Sequence, residues 1–217
     1  MGSKREPKKV VLEQRLRLRI SDVADPQGAN AMELLSMLHS QSEAARLGLL
    51  SAIRSDRYLE LIDRLIAAAG APKLPDDGLS TRKDAARTFS GLVRRSWVRL
   101  RSAANGVSSD LTDDDLHQLR IVAKRCRYGA QAASLVCGRD ARRFAGAVKE
   151  LQTVLGDHQD TVVAETWIRS ASATQETVGF LAGLLIGIEI VERSRLRSAV
   201  EDVWARVDQP ALRGWLD

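Results

Sequence analysis

The placing of glycine and proline constrains the fold of this chain most. They fall between segments of helical periodicity, strand-like alternation is absent, and Ala, Leu, Arg and Glu dominate what remains. An all-α fold of antiparallel helical bundles is therefore expected. Val10 to Val23 reads as a short amphipathic helix ending at the turn signal Ala24 to Gly28, ADPQG. A longer helical stretch runs from about Asn30 to Ala69, with a bend at Ser55-Asp56. Ala71 to Gly78, APKLPDDG, cannot continue a helix, because its prolines remove backbone donors and fix φ. The expected organisation is a basic tail over 1–9, a helical part over 10–70, a linker over 71–79 and a helical bundle over 80–217. Within that bundle, one helix covers Ser80 to Ala103. A second opens at Thr112, with acids in its first turn favouring the helix dipole, and closes near Gly138. A third starts at Asp140 and is ended by Gly156. Asp157 to Asp160 opens a fourth, and the last runs from about Thr174 to Arg206.

With 217 residues, 44% of them hydrophobic, the chain can build a sizeable core. Its net charge of +5 is moderate, so the charge matters by where it clusters. Cys126 and Cys137 lie about 16 Å apart along one expected helix, too far for a disulfide, and read as reduced cytoplasmic thiols. The opening MGSKREPKK is no secretory leader. The most apolar run, Val178 to Ile188, is far short of the roughly 20 residues that span a membrane. Its Gly179, Gly183 and Gly187 are expected to let a neighbouring helix approach closely in a bundle.

The clearest cluster is Leu116 to Tyr128, LHQLRIVAKRCRY, with no acid between Asp115 and Asp140. At about 100° per residue, His117, Arg120, Lys124, Arg127 and Tyr128 share one face, while Leu119, Val122, Ala123, Cys126 and Ala130 share the opposite one. Arg125 adds to the charge. Like charges one turn apart repel, so a ridge left unneutralised points to an anion. Arg87, Arg94 and Arg101, spaced by seven, form a second ridge opposite Phe89, Val93, Trp97 and Leu100. Arg142, Lys149 and Gln152 line one side of the following helix. On the earlier stretch, Arg46, Arg57 and Arg64 sit among Glu43, Glu60 and Asp63, a solvated mixed-charge face from which Arg57 of the SDRY tetrapeptide stands out. No phosphate loop, nucleophile elbow or paired-histidine metal spacing occurs, so no catalytic residue, metal or cofactor is expected.

HQLRIVAKRCRY, followed about twenty residues later by VKELQTVLGDHQD, resembles the CHAD family, the conserved histidine α-helical domain. His117, Arg120, Ile121, Lys124, Arg125, Arg127 and Tyr128 fill the first part of its signature; Lys149, Leu151, Gln152, Leu155, Gly156 and Asp160 fill the second. SDRY, Trp97, the GLLIG run and Trp204 follow the expected order. The resemblance implies two pseudo-symmetric four-helix bundles around a basic pore that binds inorganic polyphosphate, and association with polyphosphate granules. An earlier copy of the signature is missing, so one complete C-terminal bundle and part of an N-terminal one are expected. A homodimer or a missing N-terminal segment would complete the pore. The expected ligand-binding residues are His117, Arg120, Lys124, Arg125, Arg127, Lys149, Arg94, Arg87 and Arg57, with Tyr128, Gln152 and Asp160 in support. A general polyanion or nucleic-acid-binding module is the alternative; single-strand binders interleave stacking aromatics, and only 4% of this chain is aromatic.

Overall fold

A computed structural model describes residues 8–23, 28–72, 82–105 and 111–216; the side chains of 8–10, 82 and 83 lie outside the description. Among the described residues there are seven α-helices and no strand. They are α1 (Lys8–Val23), α2 (Ala29–Ile53), α3 (Asp56–Gly70), α4 (Arg82–Ala104), α5 (Asp113–Cys137), α6 (Arg139–Thr174) and α7 (Gly179–Val207). Short 3-10 turns occupy Glu176–Val178, Pro210–Leu212 and Gly214–Leu216. The tail over 1–7, the turn signal at 24–27, most of the expected linker and the loop at 106–110 lie outside the described residues.

Local chemistry sets most of the helix ends. The expected bend at Ser55 is a full break: the Ser55 hydroxyl accepts from the Tyr58 backbone N–H and caps a new helix. Thr112 and Asp115 form a capping box, each side chain bonding the other residue's backbone N–H. Gly138, at φ +79°, ends α5 in a conformation that disfavours any side chain. Two expectations fail. Gly156 does not end a helix, since α6 runs unbroken to Thr174; the glycine instead lies beneath the Arg120 guanidinium. Nor do Gly179, Gly183 and Gly187 admit a close neighbour, for among the described residues a Cβ at any of them would meet nothing within 4 Å.

The chain forms two compact units. The first holds the described residues up to 72 together with Ile168–Leu185. Leu12, Leu16 and Ile20, each one turn apart on α1, are buried, as are Leu34 and Leu38 on α2 and Ile168, Val178, Leu181 and Leu185. Thr177 Oγ1 donates to Glu33 Oε2 at 2.7 Å, fixing the 3-10 turn to α2. Beyond Leu38, neither α2 nor any part of α3 contributes a buried residue.

The second unit holds the described residues from 82 to Trp167, with Ile186 onward. Its core gathers Val93, Trp97 and Leu100 of α4, Leu119, Ala123 and Cys126 of α5, Phe144, Val148, Leu151 and Leu155 of α6, and Val200, Val203 and Val207 of α7. Each large aliphatic side chain so buried contributes roughly 1.5–3 kcal/mol. Trp97 centres the cluster, edge-on to Phe144 and stacked on Trp204, both at 5.6 Å between ring centroids. Burial pushes the Cys126 thiol up to about 12, which leaves it inert. Among the described residues, no helix is long and apolar enough to cross a membrane.

Candidate functional site

Gly138 folds α5 back along α6, and two contacts fix the register of that hairpin. His117 Nδ1 lies 2.8 Å from Gln159 Oε1. One turn further along, Arg120 Nε lies 3.6 Å from where a Cβ on Gly156 would stand. Both pairs are equidistant in sequence from Gly138, as an antiparallel hairpin pivoting there requires. The same register sets Lys124 across from Gln152 and Arg127 across from Lys149. A seam thus runs about 15 Å along α5 from His117 through Arg120 and Lys124 to Arg127, faced on α6 by two amides, a glycine and a lysine.

The electrostatics of this seam are one-sided. Among the described residues, Arg120, Lys124, Arg125, Arg127 and Lys149 hold no ion pair with a carboxylate. Arg120, Lys124 and Arg127 are half-buried, whereas Arg125 and Lys149 are exposed. Arg120 Nε, Arg127 Nε and Gln152 Oε1 are buried without a hydrogen-bond partner. A buried polar group left unsatisfied costs about 1–3 kcal/mol, so three along one seam call for a ligand or solvent to complete them. The Arg127 guanidinium rests 4.8 Å from the Tyr128 ring centroid, which orients it by cation–π attraction. The contact joins Gln159 Oε1, an acceptor, to the Nδ1–H tautomer of His117, in which Nε2 is the ring's second hydrogen-bonding atom. The arrangement can take up several anionic oxygens in a row.

The other expected residues are carried by α3, α4 and α6. Arg87 and Arg94 are exposed on α4, which meets α5 where Val93 Cγ2 stands 3.6 Å from a Cβ position on Gly129. Arg101 pairs with Asp208 at 3.6 Å. Arg57 is exposed on α3 of the first unit, and Arg46 pairs with Glu43 at 3.0 Å. Asp160 is half-buried on α6. Among the described residues, no three His, Cys, Asp or Glu gather closely enough to hold a metal ion.

One cluster escapes sequence reasoning. Asp113, in the first turn of α5, accepts from Arg193 at 3.2 Å and Arg197 at 2.5 Å, both from α7. Arg193 also pairs with Glu165 of α6 at 2.5 Å, and Arg197 donates to the Leu111 carbonyl. His158, 1% exposed, brings Nε2 within 3.3 Å of Asp113 Oδ1, although neither ring nitrogen has an aligned hydrogen-bond partner. Burial lowers the His158 pKa; Asp113 opposes the shift, and Arg197 and Arg193 add to it. The ring is therefore neutral, and the network clamps the start of α5 to α6 and α7. The four-residue spacing of Arg193 and Arg197 was the available signal. Gln159, which meets His117, was legible only through the hairpin register.

Comparison with known proteins gives three findings. The family model of the CHAD domain matches residues 10–169, which leaves the GLLIG run and Trp204 outside the match. Two curated proteins of Mycobacterium tuberculosis, the uncharacterized proteins MT2285 of strain CDC 1551 / Oshkosh and Rv2226 of strain ATCC 25618 / H37Rv, are each 29% identical over 163 residues, covering 74% of this chain and 31% of their own. The chain thus spans about a third of the length of these relatives. No solved structure matches it.

Proposed function

Because this chain belongs to the CHAD domain family, known at the family level for polyphosphate-related binding, we propose that the seam between α5 and α6 binds inorganic polyphosphate without chemically altering it. The observation that carries this reading is the pair of buried Arg120 and Arg127 Nε groups, which lack acceptors in a row of cations free of carboxylates. Polyphosphate is a flexible chain with roughly one charge per phosphate. Successive phosphates meet His117, Arg120, Lys124 and Arg127 in turn, arginine through forked donors and lysine as a compact charge. Gln152 and Tyr128 orient these groups, while Arg125 and Lys149 extend the field at the rim. Association with polyphosphate granules follows from such a site. Arg87 and Arg94, exposed on α4, act through the wider positive field.

Calorimetric titration with long-chain polyphosphate at two salt concentrations, beside single-stranded DNA of matched charge, tests the proposal. Binding should weaken steeply with salt, as counterion release requires, and should favour polyphosphate. The Arg120→Ala, Arg127→Ala pair should lose at least tenfold in affinity, about 1.4 kcal/mol, and Arg94→Ala far less. Equal binding of DNA would point to a general polyanion module. Phosphate release in the presence of magnesium would point to an enzyme. Either result defeats the proposal.

A further inference from the structure

The polar and apolar residues of α3 separate cleanly. Taking Tyr58 as 0° and about 100° per residue, Leu61, Leu65, Tyr58, Ala69, Ile62, Ile66 and Leu59 fill an arc of about 160°. No charged residue interrupts it. A soluble helix with such an arc buries it, yet α3 has no buried residue, and Tyr58, Leu59, Leu61, Leu65 and Ile66 are 39% to 65% exposed. Leu49 and Ile53, toward the end of α2, are 54% and 37% exposed.

We infer that α3 is the interface through which two copies of this chain associate, the apolar arcs meeting face to face with the two α3 helices parallel. Size supports a specific contact. Large apolar side chains offer on the order of 100 Å² of surface each, so the five α3 residues, about half exposed, offer roughly 250 Å², and Leu49 and Ile53 of α2 add roughly 100 Å². A standard interface of about 800 Å² per partner, somewhat over half of it apolar, contains only a little more than that sum. Charge supports a second copy as the occupant and sets its direction. The helix carries Asp56, Glu60 and Asp63 against Arg57 and Arg64, near balance, so two such faces do not repel through net charge. The signs lie on opposite edges of the arc: Arg57 and Arg64 near 240–260°, Asp56 and Asp63 near 140–160°. In an antiparallel two-fold pair, like edges meet. In a parallel pair, the two-fold runs along the helices and sets each basic edge against the partner's acidic one, as flanking charges do in parallel coiled coils.

Sedimentation of the full chain from low to high micromolar concentration should show twice the 23.8 kDa of one chain. Leu61→Glu with Leu65→Glu should yield a monomer of unchanged helicity, whereas Val191→Glu, on an exposed position of α7, should leave the dimer intact. Under mild oxidation, Tyr58→Cys and Leu65→Cys should each form a disulfide-linked dimer beyond any background of the parent chain. The two positions are about 10 Å apart along the helix, and a disulfide requires Cα atoms within about 7 Å, so an antiparallel pair could link only one of them. A monomer at every concentration overturns the inference, as does a dimer that survives the paired glutamates. Capture of a different protein by a chain that stays monomeric overturns the second copy as occupant. Linking at one position alone overturns the parallel arrangement.

Discussion

Replacing Gly156 separates what the fold asks of that residue from what the ligand asks of Arg120. Gly156 lies within α6, where glycine costs its helix about 0.5–1 kcal/mol relative to alanine. An alanine Cβ there would stand 3.6 Å from Arg120 Nε and 3.9 Å from Nη2, both ordinary van der Waals separations. No steric term offsets the helical gain. Gly156→Ala should therefore stabilise the protein by about 0.5–1 kcal/mol and raise its melting temperature by roughly 2 °C, since 1 kcal/mol moves a chain of this size by about 2–4 °C. Polyphosphate affinity should stay within about twofold, because the guanidinium keeps its place. Gly156→Val adds two methyl groups where Arg120 rests and should displace it, lowering affinity toward that of Arg120→Ala. Urea unfolding followed by circular dichroism and calorimetric titration of all three proteins read both effects. If alanine destabilises by more than about 1 kcal/mol, or weakens binding as far as Arg120→Ala does, the seam is closed more tightly than these distances allow and the reasoning fails.

Two further predictions concern the clamp at the start of α5. His158 has its pKa depressed below the ordinary 6.5, so below that pH the unfolded chain binds a proton that the folded chain refuses, and stability rises with pH in that window. Unfolding free energy should fall as pH drops through 6.5 toward the lower folded value, and His158→Gln should flatten that slope; an unchanged slope between pH 5 and 7 would remove His158 as the cause. Asp113→Asn leaves Arg193 and Arg197 without their shared carboxylate. As the group is partly exposed, the loss should lie between that of surface and buried pairs, roughly 2 kcal/mol, and a loss under about 0.5 kcal/mol in urea unfolding would show that the network contributes little.

Features fixed by neighbouring residues were legible in the sequence. Thr112 with Asp115, Ser55 before Asp56, and Gly138 after a run of periodic residues each announce a helix end through local hydrogen bonding or backbone freedom. The cationic face of α5 was legible too, since helical periodicity alone places His117, Arg120, Lys124 and Arg127 together. Gly156 was misread because a helix stop and a close approach both select glycine, and only the Arg120 side chain distinguishes them. The stripe Gly179, Gly183, Gly187 failed for the converse reason: small residues permit a neighbour without supplying one. Asp113 read as a partner of the helix dipole, and nothing within α5 discloses that arginines about eighty residues away claim its oxygens. The association of Ile168–Leu185 with the first unit is likewise tertiary.

The turn at Gly138 is a ruler as well as a reversal. One chain segment supplies both sides of the seam, so the number of residues between His117 and Gln159 fixes which groups face one another. Inserting a single residue beside Gly138 would rotate every position of α6 by about 100° and slide it 1.5 Å relative to α5. Gly156 would leave Arg120, and Gln159 would leave His117, while both helices kept their full propensity. The hairpin can thus accept many changes of residue type on its outer faces but no change of length at its bend, and a chain altered there would remain helical with its row of cations no longer assembled.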